Sequence, residues 1–533
     1  MIRSLLVLTA ILAVLALPFL MKPEENLLEE ADETLVIISP HNEAIRFEFT
    51  RAFVDRIKEK HGKVVRIDWR IPGGTSEISR FIEGEYLAAF QYHWTSELGR
   101  PWSAEVAEAA QNGKIELPKN PEDDDLPQSA RRAYLASDVS SGIDLFFGGG
   151  RYDYDKQARK GNLVNSGILR RHPNWFGEPT GIPHFVGGEE YWDADGRWVG
   201  ACVSAFGIVY NTDVLARLQI EHPPAQWSDL GAPAYLGQVA IADPTKSGSA
   251  AAAFEMLIQQ QMQLAVENAG GNVDERRLAE GWANAMQLIR RISGNTRYFT
   301  DSASKIPIDV SLGDAAAGMA IDFYGRFQSE AVTQPDGSTR MHYVTPVGGT
   351  SIGADPIAML RGAPNRKLAE EFMDFVLSID GQKLWNFKVG APGGPVKYAL
   401  RRLPIVPVLY APEYAQYRSD PDVNPYQQAK AFQYHPEWTG RLFGAISFTV
   451  RVMCLEPHEE LKAAWAALIA NDFPPAATAK FNTIKPFDYE NVKTTIFEAL
   501  RGDRIGQVRL ARELGIQVRR QYQEVVALAE RGE

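Results

Sequence analysis

Leu35-Val36-Ile37-Ile38, followed by Ser39-Pro40-His41-Asn42 and then by Ile45, Phe49, Phe53 and Ile57, is the stretch that decides the fold. Four consecutive aliphatic residues ending at a turn predict a buried strand, since both faces of such a run must be covered. Apolar residues every four positions with charges between them predict a helix laid on a sheet. At 64–69 the pattern changes to alternation, a second strand. Strand, helix and strand in succession predict a parallel, right-handed βαβ unit.

Working outward, apolar runs at 143–147, 206–210, 239–241, 317–321 and 341–344 predict further strands. Helical periodicity covers 250–266, 278–292 and 367–377, the last introduced by Asn365 as N-cap. The elements interleave, so the class is α/β. Between 81 and 141 the pattern weakens. The stretch 118–125, with Pro118, Pro121 and Glu122-Asp123-Asp124-Asp125, reads as a solvated insertion loop. Beyond Pro404 the composition shifts to Pro, Tyr and Trp over 410–438, and helical patterns follow at 459–469 and 503–528. This added region is expected to be mostly helical.

The 533 residues predict about two to four domains, and no internal repeat suggests a solenoid or propeller. With 67 acidic against 56 basic residues the net charge is -11, a field that repels a polyanion, so no nucleic-acid partner is expected. Cys202 and Cys454 are the only cysteines, too few for a disulfide framework or a multi-cysteine zinc site. Arg3 precedes an apolar stretch from Leu5 to Leu20, broken only by Thr9 and Pro18. That pattern predicts export, with the segment either cleaved as a signal peptide or retained as a membrane tether. No later run reaches the roughly 20 apolar residues of a membrane span.

Four loops carry candidate chemistry. Asp243-Pro244-Thr245-Lys246-Ser247-Gly248-Ser249 joins a strand to a helix. Amides and hydroxyls at a helix start suit a phosphate or carboxylate, although an ordinary N-cap at Ser247 or Ser249 is the commoner use of such a motif. Gly148-Gly149-Gly150-Arg151 follows a strand and lets backbone approach a ligand, or merely turns tightly. His41-Asn42 lies at the first strand-helix junction, where open α/β sheets place ligands. Metal ligation and an ordinary turn are alternatives there to hydrogen bonding. Asp322-Phe323-Tyr324-Gly325-Arg326 sets an acid, aromatics and a cation at a strand end, which fits polyol recognition and a half-buried strand end equally. There is no His-Glu-x-x-His helix and no dinucleotide fingerprint. Glu189-Glu190, Asp193 and Asp195 fall in a glycine-containing, turn-like segment read as a solvated loop.

In order along the chain, these loops occur together with Val203-Ser204-Ala205-Phe206-Gly207-Ile208-Val209-Tyr210-Asn211-Thr212, Pro224-Ala225-Gln226-Trp227-Ser228-Asp229-Leu230 and Ala369-Glu370-Glu371-Phe372-Met373-Asp374-Phe375-Val376-Leu377-Ser378. The constellation, over about residues 34–400, resembles the extracellular solute-binding proteins of ABC importers, in the branch of ferric-ion, thiamine, polyamine and sugar-phosphate binders. The resemblance implies a two-lobed type II periplasmic-binding fold with two crossing hinge strands, near 201–204 and 349–355, and ligand held in the interlobe cleft. Lobe one would comprise 34–200 and 350–400, with the insertion at about 81–141, and lobe two 205–345. Residues 1–30 are the export segment and 401–533 a helical C-terminal extension, which would wrap lobe one, cover the cleft or meet a partner.

The resemblance further implies a non-catalytic, monomeric, periplasmic receptor without cofactor, handing a small anionic solute to an ABC permease. The expected ligand is a phosphorylated organic molecule, a sugar phosphate or phosphonate. Gly148, Gly149, Gly150, Ser247, Gly248 and Ser249 would form two anion nests. His41, Asn42, Ser204, Asp322 and Tyr324 would orient the polyol end, with Phe323 as a stacking face. Ferric-ion binding through His41 and Tyr324 is the first alternative. Gly148-Gly149-Gly150 occupies the region of that group's carboxylate, and Phe323-Tyr324 offers one Tyr where two are expected. A phosphoester-acting enzyme with Asp322 or Glu189 as base, and a sensor component, are the others.

Overall fold

The computed structural model describes residues 31–177 and 179–533, so the expected export segment at 1–30 lies outside the described residues. The opening unit forms as its pattern predicts. Strands Glu33–Ile38 and Val65–Arg70 pair in parallel around helix Glu43–His61. Asn42 caps that helix by accepting from the Ile45 amide, and Gly62 ends it in a left-handed conformation that a glycine adopts without strain.

One strand organises everything else. Trp198–Asn211 runs without interruption through both halves of an eleven-stranded sheet. From Trp198 to Ala205 it pairs antiparallel with Ile352–Leu360, which leads on to Leu145–Phe147, Glu33–Ile38 and Val65–Arg70. From Phe206 onward its partners are Ala317–Ile321 and Met341–Val344, and beyond Ala317–Ile321 come Val239–Ala242 and Thr296–Thr300. The change of partner between Ala205 and Phe206 is the first crossing between lobes. The return crossing is the short segment 345–351, whose Thr350 hydroxyl accepts the Phe206 amide at 3.2 Å. The architecture is thus the two-lobed α/β fold with two crossing strands expected from the sequence, carrying a helical C-terminal region.

Each half-sheet is covered on both faces, which is why its strands read as continuous apolar runs. In lobe one, Phe49, Phe53, Phe372 and Trp385 fill one face, while Ile78, Tyr86, Phe90, Trp94 and Tyr134 fill the other. Segment 81–141 therefore supplies a packed helical layer, including Thr75–Tyr92, Ala104–Ala110 and Leu126–Ala136, and the exposed stretch around Pro121–Asp123 is its loop. A π-helical turn at His93–Glu97 breaks the periodicity that would have shown this layer in the sequence.

The C-terminal region divides between the lobes. Leu403–Pro404 adds to the long strand beside Cys202 and Val203 in lobe one. From Trp438 onward the helices pack on lobe two, where Trp282 and Ile289 of helix Glu275–Gly294 share a core with Trp465, Leu514 and Tyr522. Trp282 Nε1 donates to the Phe487 carbonyl at 2.8 Å, and Arg290 Nη1 to those of Phe481 and Thr483 at 2.6 Å. Lobe two and the C-terminal helices are one cooperative body on this packing. Trp282→Ala should destabilise the chain by about 3–5 kcal/mol, read by urea denaturation; a midpoint equal to that of the unaltered chain would show that the extension folds independently.

Candidate functional site

Between the lobes lies a cleft of about 1140 Å³. Two helix starts face it, one from each lobe, and both follow directly from local sequence. In lobe one, Phe147 ends a strand and helix Arg151–Lys160 begins after three intervening glycines. Gly148 and Gly149 make the turn at φ +92° and +106°, and a Cβ on Gly149 would come within 2.6 Å of Thr75. Gly148 is pressed against the His41 ring, and its amide donates to the Pro356 carbonyl at 2.8 Å, which removes it from the donor set. Gly150 is the N-cap residue and brings no side chain to the cap. Among the described residues the amides of Gly149 and Gly150 have no acceptor within the protein, and both glycines line the cleft.

Lobe two presents the second start. Asp243 Oδ1 accepts the Thr245 amide and hydroxyl at 2.8 and 2.7 Å, and the Asp243 carbonyl accepts the Lys246 and Ser247 amides. Ser247 Oγ caps helix Gly248–Asn268 by accepting the Ala250 amide at 3.3 Å. Ser247 is thus the ordinary cap, and Gly248 and Ser249 are the residues that line the cleft, their amides free of protein acceptors among the described residues.

Of the residues expected to orient the polyol end, only Ser204 lines this cleft; Glu189, a candidate base, lines it too. Asn42 is an exposed helix cap. Asp322 is fully buried, accepting its neighbour's Phe323 amide at 2.8 Å and pairing with Arg326 Nη1 at 3.0 Å. Burial pushes its carboxyl up, against the opposing pull of Arg326. Phe323 and Tyr324 pack on each other at 4.2 Å between ring centroids. The other face of Phe323 is taken by the guanidinium of Arg402, 4.1 Å from the ring centroid.

Arg402 is the residue that the sequence does not announce. It is 1% exposed and its guanidinium sits at the strand crossings. Nη2 is paired with Asp355 and donates to Ser204 Oγ at 3.0 Å, and Nη1 meets His41 Nε2 at 3.1 Å. Because Arg402 only donates, His41 accepts through Nε2 and carries its proton on Nδ1. Burial, reinforced by the charges of Arg402 and Arg46, holds the imidazole well below its usual range and hence neutral. One cation thus ties lobe one at His41, both crossing strands at Ser204 and Asp355, and lobe two at Phe323.

The cleft also holds charged side chains. Arg151 lies 3.4 Å from Asp155 and 3.6 Å from Glu190, and these carboxylates together with Glu189 raise its pKa against the effect of burial. Glu189 accepts the Ser351 hydroxyl at 2.6 Å. Opposite it, Glu255 of lobe two accepts the hydroxyls of Thr439 and Tyr434 at 2.6 and 3.0 Å. Tyr434, Arg441 and Phe443 of the C-terminal region also line the cleft, so the extension forms its third wall.

Residues 156–403 match the family described as bacterial extracellular solute-binding protein. That match covers 248 of the 533 residues, just under half of the chain. An uncharacterized protein of Haemophilus influenzae is 26% identical over 246 residues, 45% of this chain and 60% of that one. The phosphoglycerate transport regulatory protein PgtC of Salmonella typhimurium is 25% identical over 187 residues, 35% of this chain and 40% of PgtC. The chain therefore spans less than two thirds of the length of these curated relatives. Among solved structures, the periplasmic binding protein AfuA of Actinobacillus pleuropneumoniae, with fructose-6-phosphate bound, aligns at 18% identity over 66% of this chain and 82% of its own, with a TM-score of 0.42. Iron-bound HitA of Pseudomonas aeruginosa aligns at 14% identity over 78% of this chain and 99% of its own, with a TM-score of 0.44.

Within the cleft, burial pushes the Glu255 carboxyl up to about 7, with the charge of Glu189 adding to the shift and the Thr439 and Tyr434 hydroxyls opposing it. The unfolded chain loses this proton near the ordinary 4.5 whereas the folded one keeps it to about 7, so rising pH favours unfolding across that interval. The contribution is fully present below pH 4.5 and lost as pH rises through 7, on the order of 3 kcal/mol by linkage. Glu255→Gln should abolish this slope, so that its stability relative to the unaltered chain increases from pH 5 to pH 8 in parallel urea titrations. Parallel pH profiles of the two proteins would contradict the assignment.

Proposed function

We propose that this chain is the solute-binding receptor of an ABC import system, exported to the periplasm, and that it captures a small anionic organic solute, a sugar phosphate or phosphonate, for a membrane permease. The observation that carries the reading is the convergence of acceptor-free amides from both lobes, Gly149 and Gly150 with Gly248 and Ser249, on one cleft. A helix N-terminus favours negative charge through its dipole and its unpaired donors together, and two facing starts reward an anion that reaches both. Neutral amides do this without positive net charge, so -11 is no obstacle. The family match and the phosphoglycerate in the name of PgtC point the same way.

Closure of the lobes over such an anion excludes water and lowers the dielectric around the amides, which strengthens each hydrogen bond. The permease would then read the closed shape. The word regulatory in the name of PgtC favours a second reading, a sensor component that binds the same solute but signals to a partner. Ferric-ion binding has less support, because His41 Nε2 is committed to Arg402 and the Tyr324 ring packs on Phe323. For the enzyme alternative, Asp322 is spent on Arg326, and Glu189, which lines the cleft, accepts the Ser351 hydroxyl at 2.6 Å.

Ser249→Asp places a carboxylate at the second helix start, a position where helix stability tolerates an acid. Calorimetric affinity for glucose 6-phosphate should fall by about 100-fold or more through like-charge repulsion in the closed cleft, with the thermal midpoint nearly unchanged. Equal affinity in the variant, or binding of ferric ion in preference to glucose 6-phosphate and inorganic phosphate by the unaltered chain, would overturn the reading.

A further inference from the structure

The C-terminal segment 432–443 touches both lobes, and it holds them unequally. On lobe two it is bound to helix Gly248–Asn268 by six hydrogen bonds. Gln259 Nε2 donates to the His435 carbonyl and to Thr439 Oγ1 at 2.8 and 2.7 Å, and the His435 amide donates back to Gln259 Oε1 at 3.1 Å. Gln263 Nε2 donates to the Gln433 carbonyl at 2.7 Å, and the Tyr434 and Thr439 hydroxyls both reach Glu255. Trp438 and Leu442 are sunk in the lobe-two core. On lobe one the attachments are lighter. The Tyr434 amide donates to the Gly187 carbonyl at 2.7 Å, and Phe443 stacks on Tyr152 with ring centroids 4.9 Å apart. Tyr152 is 38% exposed, and both rings line the cleft.

We infer that segment 432–443 is a strap that stays with lobe two and parts from lobe one when the cleft opens, so that Tyr152 and Phe443 form the gate past which solute enters and leaves. The inference rests on the receptor reading for the identity of the traffic, but its mechanical content comes from the asymmetry of the contacts. A seam made of one hydrogen bond, one ring pair and the close backbone packing of Gly187 and Gly188 on Phe432 and Tyr434 separates at lower cost than one made of six hydrogen bonds and two core side chains. Because the strap carries Tyr434 into the cleft wall, closure also completes the site rather than merely covering it. A two-lobed scaffold ending near residue 400 would lack both the gate and this wall.

The test uses the full chain as Tyr152→Cys/Phe443→Cys, joined by a short bis-maleimide linker. The native Cys202 and Cys454 are fully buried and stay out of the reaction. Stopped-flow association and release of glucose 6-phosphate should slow by about tenfold or more in the linked protein relative to the same variant unlinked, as expected when a gating motion is blocked. Equal rates would overturn the strap as gate. If the unaltered chain binds no glucose 6-phosphate, the receptor reading fails by itself, and hydrogen exchange of Phe443→Ala then decides the strap. Exchange should rise in 148–155 and 185–190 while 255–263 stays protected. No rise, or an equal rise on both sides, would overturn it.

Discussion

A buried or half-buried backbone amide needs an acceptor, and two helix starts in this protein leave theirs unmet at the same place. Within each lobe the geometry is ordinary: a strand ends, a short turn of glycine or serine follows, and a helix begins. What makes the pair consequential is that one strand, Trp198–Asn211, changes partners between Ala205 and Phe206 and so sets the two half-sheets with a cleft between these helix starts. Fold and candidate site share this cause. The donor set is smaller than a glycine and serine count suggests, since Gly148 spends its amide on Pro356 and Ser247 its hydroxyl on Ala250.

Arg402 explains how the crossings hold a defined geometry while still permitting motion. A guanidinium this deeply buried costs several kcal/mol in desolvation unless its charge is met, and here Asp355, Ser204 and His41 take its Nη groups while the face of Phe323 covers the cation. These partners come from lobe one, the two crossing strands and lobe two, so relative rotation of the lobes must be compatible with keeping the cation solvated by protein. A tight pivot and a light seam are complementary requirements for hinge motion.

Much of the scaffold was legible because it is written in local periodicity. The opening βαβ unit, the strand at 317–321 and helix Arg366–Leu377 with its Asn365 cap need only neighbours in sequence to declare themselves. The long strand was legible only in part, as 206–210, because its first half carries Gly200 and small residues where Ile405 packs against it. Arg402 was illegible for a different reason. It follows another arginine with no surrounding motif, and its partners lie 47 to 361 residues away. The same remoteness hid the use of Phe323 as a platform for that cation. The wall formed by Tyr434, Arg441 and Phe443 was beyond residue-type reasoning, since aromatic and polar residues after Pro404 fit packing on either lobe.

The central claim is that neutral amides from both lobes select an anionic organic guest. Native mass spectrometry of the full chain, purified without chelators or added phosphate, tests it most directly, with phosphorus NMR of the material released on denaturation. The account predicts a bound organic phosphoester or phosphonate in one-to-one ratio with the protein. A retained ferric ion, or a guest carrying no negative charge, would contradict it.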